Sequence, residues 1–427
     1  MNPRTLALSV GVASTLTRLP QPAMAQQSPS GLTLQQARAA ALSTSPDLAA
    51  ARAAIAAASA RARQAGAWGN PVLSYGYEQT AVGGQSTSQS IAALEQPLEF
   101  TGVRGARRDA AMLRLEAAEA DLRAVEALVG FEVTSAYALV QAADERLTLA
   151  ARAAGAFDRA QQVTGARLVA GDVSGYEARR IRLESARYAA LRAEAVLAQR
   201  TAYVALAALV GAPADSLLRT GLAPPESLPV LPVAPGLESL VVLALRQHPE
   251  VLAAEREAAA ALADARAAGR DRIPVPTAAA GWKTESAVGG VRLNGFVAGI
   301  SLPLPLWDRR GGAVAAADAD AQRRAAELDV VRRRVVREAE EVYAALRAAE
   351  EEVARLGLAL GAEAVAALTA AEAAYTEGEI PLIEWLDAIR AYHEAESIFV
   401  TLRAELHVRR AALERATGGI LFEDRQP

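Results

Sequence analysis

The chain has 427 residues, a net charge of -4 and no cysteine, and aromatic residues make up 4% of it. This length exceeds the usual single core, so two domains or two repeats are expected, and the lack of Cys excludes disulfides, thiol catalysis and a lipid-modified N-terminal Cys. Basic and acidic residues alternate along the predicted helix faces, which speaks against a nucleic-acid-binding surface. The abundance of Ala and the scarcity of rings favour closely packed helices.

Residues 1–25 are predicted to be a signal peptide. Arg4 precedes an apolar run from Leu6 to Leu16, and small residues follow at Ala23 and Ala25, where a signal peptidase reads them. The alternative is an ordinary frayed N-terminus. We expect the mature chain to begin at about Gln26.

The mature chain is predicted to contain the same plan twice. A first repeat occupies residues 26–212 and a second one residues 236–418. The Pro-rich segment 213–235 is the predicted linker between them, and residues 419–427 form a C-terminal tail.

Each repeat begins with a short amphipathic helix around a Pro-acid step, Pro46-Asp47 in the first and Pro249-Glu250 in the second. Two strand-like stretches follow, on either side of an Ala-Val-Gly-Gly tetrapeptide at 81–84 and again at 287–290. A turn rich in Pro and Gly comes next, and a very long helical hairpin completes the repeat.

The first strand-like stretch begins at Pro71. The other three lie at about residues 88–99, 275–285 and 291–304. In the first of them Leu73, Tyr75 and Tyr77 share one face and polar residues or Gly the other, the alternation of a strand between lipid and water. No segment after the signal peptide has the roughly 18 uninterrupted apolar residues of a membrane-spanning helix, so a membrane crossing must use strands.

Four strands cannot close a barrel alone, and open strand edges are not tolerated in lipid. The chain is therefore expected to share a barrel with copies of itself, and three copies would supply twelve strands. The alternative is an ordinary soluble sheet.

The long elements are predicted to be coiled-coil helices. No Pro occurs from Leu98 to Ala212 or from Leu306 to Ile380, so about 65 residues before each chain reversal could form a helix of roughly 100 Å. Each half carries an apolar stripe with intervals of three and four residues, which is the spacing of a coiled-coil seam. The stripes are Leu122, Val125, Val129, Val133, Ala136, Val140, Ala143 and Leu147, and Trp385, Ala388, Tyr392, Ala395, Phe399, Leu402 and Leu406.

The helical hairpins are predicted to turn at Gly171 and Gly378, where Gly accepts a left-handed cap without steric cost. Pro381 suits the first turn of the next helix because its missing N–H would be unpaired there.

Acidic residues follow both turns. Ser174 and Glu177 have the spacing of a capping box, and Glu384 and Asp387 fall in the first two turns of the last helix, where the helix dipole favours acids. On the residues alone, the choice between a capping role and a functional role for these acids stays open.

The doubled plan, the stretch SLPLPLWDRRGG from Ser301 and the two tips GDVSGYE and YTEGEIPLIEWLDA resemble the TolC family of outer-membrane efflux channels. The resemblance covers essentially the whole mature chain and is greatest to the heavy-metal efflux branch, the CzcC-like proteins. It implies a mainly α fold with a small β part. Three chains would form a homotrimer with a long α-helical barrel in the periplasm and a shared 12-stranded β-barrel in the outer membrane.

The resemblance also implies a role and partners. The channel would give cargo from an inner-membrane pump and a periplasmic adaptor protein a passive route across the periplasm and the lipid of the outer membrane of a Gram-negative bacterium. Heavy-metal cations are the expected cargo, and drugs or organic toxins are the alternative. A periplasmic coiled-coil adaptor is a further alternative, although an adaptor normally carries one hairpin between β-rich segments.

Carried over by position, Glu384 and Asp387 match two acidic positions that ring the channel constriction in the family. Tyr375 matches a tyrosine of the closed-state network and Glu177 an acid on the first hairpin. Ile380 stands where the best-known member has a basic residue, so the same closing salt bridges are not implied. The tip residues that would meet the adaptor are Gly171, Asp172, Val173, Ser174, Gly378, Glu379, Ile380 and Pro381.

Glu384 and Asp387 from three copies would form a narrow carboxylate ring, in which mutual repulsion raises some pKa values and cations are attracted. No metal, cofactor or catalytic site is predicted within the chain. His248, His393 and His407 lack ligand spacing, and there is no phosphate-binding Gly motif or nucleophile with a placed base. The chain is therefore not expected to be an enzyme.

Overall fold

The computed structural model describes residues 31–223, 236–286 and 290–419. The predicted signal peptide, most of the predicted linker and all but Gly419 of the predicted tail lie outside the described residues, as do Ala287, Val288 and Gly289 of the second tetrapeptide.

Helices make up most of the described chain, and its strands form one small sheet. The first half contains α1 (Leu34–Thr44), α2 (Pro46–Ala65), β1 (Val72–Val82), β2 (Gln85–Pro97), α3 (Val103–Ala170) and α4 (Gly175–Val210). After the short helix α5 (Ala214–Thr220), the second half contains α6 (Leu237–Gln247), α7 (Pro249–Arg270), β3 (Thr277–Ser286), β4 (Arg292–Ser301), α8 (Gly311–Glu377) and α9 (Leu382–Ala416). The same order of helices and strands therefore occurs in both halves.

Each half begins with two helices rather than the single short helix predicted. Ser45 ends α1 and caps α2, and His248 ends α6 and caps α7. Both residues have extended backbones, with φ -60 and ψ 124 at Ser45 and φ -61 and ψ 123 at His248. The reason is the following Pro, which disfavours the helical conformation of the residue before it and itself fits the first position of a new helix.

The long helices α3 and α8 contain 68 and 67 residues, so each is about 100 Å long. Helix α3 packs against α4, α7 and α9, and α8 packs against α7 and α9. The contact between α3 and α9 joins the first hairpin (α3 and α4) to the second (α8 and α9). In the predicted α3 stripe the central members Val129, Val133, Ala136, Val140 and Ala143 are buried, whereas in the α9 stripe only Trp385 and Leu406 are fully buried.

The four strands form one antiparallel sheet in the order β1-β2-β3-β4. All four predicted strands are present, although β4 ends at Ser301 rather than near residue 304. Pro303 and Pro305 explain the early end because neither can donate a ladder hydrogen bond.

The sheet has one mainly apolar face, as alternation in the first strand predicted, and one mainly polar face that also carries Val72 and Leu293. Cross-strand pairing places large apolar side chains on one face, and each of them is more than half exposed. They are Leu73, Tyr75, Tyr77, Leu94, Trp282, Phe296 and Ile300. On the other face the Ser74 hydroxyl donates to Glu95 at 3.1 Å, and Lys283 pairs with Glu285 at 3.0 Å.

One described helix, α4, is apolar enough to cross a membrane by length and composition alone, whereas the sequence was predicted to contain no such helix. Arg200 interrupts its apolar C-terminal half. The helix lies along α3, and its side chains Tyr203, Leu206 and Val210 are buried there. We therefore describe α4 as the second helix of a hairpin.

Candidate functional site

The two hairpin tips have the same backbone geometry. Helix α3 ends at Gly171 with φ 82 and ψ 7, and α8 ends at Gly378 with φ 83 and ψ 14. Each Gly N–H donates to the carbonyl three residues earlier, at 3.2 Å and 3.1 Å. The next residue donates to the carbonyl five residues before it, at 2.9 Å and 2.8 Å. The predicted left-handed caps are thus confirmed, and the Gly residues avoid the steric cost of positive φ.

The helices that follow the tips begin differently. Ser174 and Glu177 form the predicted capping box: the Ser174 hydroxyl accepts the Glu177 N–H at 3.2 Å, and the Glu177 carboxylate accepts the Ser174 N–H at 3.1 Å. Pro381 is the N-cap of α9, one residue outside the helix, rather than part of its first turn as predicted. It offers no capping side chain, so the acid in the first turn, Glu384, is the group that complements the helix dipole.

The structure places the four predicted constriction residues in three different environments. Glu384 and Asp387 are exposed and stand three residues apart on α9, so they lie on one side of the helix. Asp387 lies 3.7 Å from Arg390. Glu177 is half-buried in its capping box, and Tyr375 is buried. Of these four residues, therefore, Glu384 and Asp387 are the exposed ones.

Tyr375 belongs to a group of four rings that we call the tip cluster: Phe157, Tyr188, Tyr375 and Trp385. Tyr375 stacks on Trp385 with 5.1 Å between ring centroids, and Trp385 meets Phe157 edge-on at 5.2 Å. Phe157 in turn stacks on Tyr188 at 4.4 Å. Each ring comes from a different helix of the two hairpins, so the cluster packs both hairpins together near their tips.

Polar contacts beside the tip cluster also link the two hairpins. The Tyr375 and Thr164 hydroxyls lie 3.0 Å apart in a buried hydrogen bond. The Arg167 guanidinium donates to the Thr376 carbonyl at 3.1 Å and lies 5.8 Å from the centre of the Tyr375 ring. These contacts tie the end of α3 to the end of α8.

A further link is the ion pair between Glu184 of α4 and Arg390 of α9. The Glu184 side chain is only 10% exposed, so the nearby guanidinium offsets the cost of burying the carboxylate, and Arg187 lies 3.8 Å from it as well. Because Arg390 also approaches Asp387, it connects a predicted constriction acid to the first hairpin.

Sequence reasoning missed Thr164, Glu184, Arg390 and the ring cluster around Trp385, although it placed Trp385 in the apolar stripe of α9. The concentration of rings near the tips, in a chain where aromatics are scarce, was a usable signal for Trp385. No local pattern marks the pairing of Glu184 with Arg390, since the two residues are 206 positions apart.

His248 is the N-cap of α7, and His393 and His407 lie 14 positions apart on α9. His393 lies edge-on to Tyr188 at 5.6 Å, and burial lowers the pKa of His393, with Arg187 lowering it further. Burial also lowers the pKa values of His248 and His407. Across residues 31–223, 236–286 and 290–419, no three potential His, Cys, Asp or Glu ligands converge on one point.

Comparison with known proteins gives a family match over both halves of the chain. The family described as "Outer membrane efflux protein" matches residues 37–212 and 240–419. The cobalt-zinc-cadmium resistance protein CzcC of Cupriavidus metallidurans is 27% identical over 352 residues, which cover 82% of this chain and 81% of CzcC. The nickel-cobalt-cadmium resistance protein NccC of Alcaligenes xylosoxydans xylosoxydans is 29% identical over 342 residues, 76% of this chain and 71% of NccC.

Among solved structures, a membrane protein from Pseudomonas aeruginosa has the same fold. It aligns with a TM-score of 0.74 and 24% identity, over 90% of both chains. At this identity the likeness concerns the fold alone.

Proposed function

The chain belongs to the outer membrane efflux protein family, and from this we propose that it is the outer-membrane channel of a tripartite system that exports heavy-metal cations. An inner-membrane pump and a periplasmic adaptor would deliver the cargo, and the channel would give it a passive route out of the cell. The proposal that metal ions are the cargo is supported by the names of the relatives, CzcC and NccC, which are metal-resistance proteins.

The observation that carries the proposal is a two-faced sheet joined to very long helices. The strands contain 10 to 13 residues, and ten residues of strand extend about 33 Å, which is enough to cross a bilayer core. An apolar face toward lipid and a polar face toward water suit a channel wall.

Three copies would complete the wall. In the described sheet β1 and β4 each have a strand partner on one side only. Unpaired strand edges are costly in lipid, so we infer that β1 of one subunit pairs with β4 of the next and that three subunits close a 12-stranded barrel. The hairpins would continue this barrel as an α-helical tube of about 100 Å into the periplasm.

The hairpin tips would close the tube at its periplasmic end. We infer that Glu384 and Asp387 from three subunits line the constriction, because both are exposed on one side of α9. A ring of carboxylates attracts cations and repels anions. Tyr375 would act differently, from inside the tip cluster, by holding the two hairpins together, and Glu177 would fix the turn that begins α4.

The eight tip residues 171–174 and 378–381 would contact the adaptor. All eight are exposed or half-exposed at the ends of the two hairpins, and Gly378 has the Arg167 side chain 3.5 Å from the place where a Cβ would stand. The two tips are thus neighbours that can offer one composite surface to a partner.

Organic toxins are the second candidate cargo, and a metal-tolerance assay separates the two. A strain lacking this chain should lose tolerance to cobalt, zinc, cadmium or nickel and regain it when the chain is supplied. Loss of tolerance to organic toxins with unchanged metal tolerance would contradict the metal assignment while leaving the channel role in place.

A further inference from the structure

We propose that the junction between the sheet and the long helices binds anionic phospholipid headgroups in the leaflet that faces the periplasm. We call this surface the junction collar and define it as residues 61–70, 98–110, 266–276 and 302–312. The inference rests on the proposed function, because it requires the sheet to cross a membrane.

The four segments of the junction collar lie at one end of the sheet. Val72 pairs with Glu95, Pro97 with Thr277, and Thr277 with Ser301, so the start of β1 and β3 and the end of β2 and β4 are neighbours. All four helices that lead to or from the strands therefore meet the sheet at this end.

Direct contacts join the segments into one surface. The Arg104 guanidinium lies 3.8 Å from the centre of the Trp68 ring. The Leu98 N–H donates to the Pro276 carbonyl at 2.8 Å, and Arg270 donates to the Gly102 carbonyl at 3.0 Å.

The junction collar is strongly basic. It contains ten Arg and four acidic residues, a net charge of +6 in a chain whose total is -4. The acid Asp271 is already neutralised, by Arg107 at 3.2 Å and by Arg310. Helices α3 and α8 begin here with no acid in the first turn, so their N-terminal dipoles add to the positive field.

Several of these Arg side chains are free to bind a ligand. Arg61, Arg108, Arg272 and Arg309 are exposed and have no carboxylate partner among the residues that the structure describes. A guanidinium can donate two parallel hydrogen bonds to a phosphate, which makes Arg well suited to phosphate recognition.

Exposed rings and apolar side chains accompany the Arg residues and favour lipid as the phosphate source. Trp68, Phe100 and Trp307 are 59%, 67% and 93% exposed, and Leu304 and Leu306 beside Trp307 are also exposed. Aromatic rings concentrate at membrane–water interfaces, and basic residues near the surface attract anionic lipids. A free phosphate would gain nothing from the rings.

The opposite end of the sheet lacks this concentration of basic residues. Its two hairpin connections, residues 78–90 and 284–293, contain only Glu78, Glu285 and Arg292 as charged residues. The asymmetry assigns the basic end to the leaflet on the helix side, where the long helices enter the periplasm.

The test is lipid binding to the purified full-length trimer in detergent, measured by native mass spectrometry. We expect phosphatidylglycerol to bind at least about tenfold more tightly than phosphatidylcholine, since each of several Arg residues contributes. The triple variant Arg108→Gln, Arg272→Gln, Arg309→Gln should lose most of this preference. A matched triple variant on α8, Arg333→Gln, Arg337→Gln, Arg355→Gln, removes the same charge away from the junction collar and should keep it.

Equal binding of the two lipids, equal loss in both triple variants, or displacement of phosphatidylglycerol by an equal concentration of inorganic phosphate would overturn the proposal. If the junction triple variant does not assemble, Arg309→Gln alone, in a loop, should still weaken phosphatidylglycerol binding, and unchanged binding counts against the proposal. A conducting trimer without lipid preference would end this inference only. A chain that neither assembles nor conducts would end the proposed function.

Discussion

The hydroxyl groups of Tyr375 and Thr164 lie 3.0 Å apart in a buried contact that joins α8 to α3. The Tyr375 ring also stacks on Trp385, so its polar and aromatic contacts link α8 to α3 and to α9. This arrangement makes Tyr375 a link between the two hairpins, which we call its fastener role.

Tyr375→Phe should loosen the tips. The change keeps the stacked ring and leaves the Thr164 hydroxyl without its partner, which costs about 1–2 kcal/mol. We expect a lower free energy of unfolding and a higher open probability in planar-bilayer recordings. Tyr176→Phe is the control, because Tyr176 is 69% exposed. Equal effects of the two changes would argue against the fastener role.

Trp385→Ala should be far more damaging than the same change at an exposed Trp. Trp385 is 1% exposed within the tip cluster, and removal of a buried large ring costs about 3–5 kcal/mol. Trp307 is 93% exposed, so Trp307→Ala should alter stability by no more than about 0.5 kcal/mol. Denaturant titration of both variants measures the difference, and similar midpoints would contradict the buried position of Trp385.

Glu184→Gln should weaken the link between the hairpins. It leaves Arg390 facing a neutral group, but Arg390 is 35% exposed, so the cost should be less than the ~3–5 kcal/mol of a fully buried pair. The double variant Glu184→Leu, Arg390→Leu should regain much of the lost stability because it removes both members of the pair, and the charges that also approach them, Asp387 and Arg187, are exposed. Glu341→Gln, in the exposed pair with Arg337, is the control and should have almost no effect. A double variant as unstable as Glu184→Gln would refute the pairing.

Glu384→Ala combined with Asp387→Ala should change permeation. Loss of both carboxylates from each subunit removes the negative ring of the proposed constriction, so single-channel conductance should rise and block by multivalent cations should weaken. Glu351→Ala with Glu352→Ala removes an equal charge from the exposed middle of α8 and serves as the control. Unchanged conductance and block in the tip variant would remove these acids from the gate.

His248 should make stability depend on pH. Its Nδ1 accepts the Glu250 N–H at 3.3 Å and so must be unprotonated, and burial lowers the pKa of His248 below its usual 6.5. The unfolded chain therefore binds a proton first as the pH falls. The contribution of His248 to the free energy of unfolding is complete above the unfolded-state pKa of 6.5. It declines as the pH falls from there to the lower pKa of the folded state.

His248→Asn keeps a good N-cap without a titrating group. Thermal unfolding of both proteins between pH 7 and pH 5 should show a smaller pH dependence in the variant. Parallel curves would show that His248 does not contribute.

Local chemistry made much of the fold predictable from the sequence. Gly171 and Gly378 predicted the left-handed caps because Gly adopts positive φ without steric cost. The spacing of Ser174 and Glu177 alone predicted a capping box. Alternation along Leu73, Tyr75 and Tyr77 predicted the apolar face of the sheet. Pro46 and Pro249 also indicate where each opening segment divides into two helices. The prediction of a single helix overlooked that a Pro disfavours the helical conformation of the residue before it, here Ser45 and His248.

The interior of the tips could not be predicted in the same way. Thr164 and Tyr375 are 211 positions apart, and their contact depends on how two hairpins pack together rather than on any repeat within one. For the same reason the sequence could not separate Tyr375, which is buried, from Glu384 and Asp387, which are exposed.

The measurement that tests the central claim most directly is the mass of the purified mature protein. In mild detergent we predict a particle of three chains, which requires detergent to stay in solution because its sheets expose an apolar face to lipid. A monomer that is soluble in water without detergent would contradict the shared barrel and, with it, the channel.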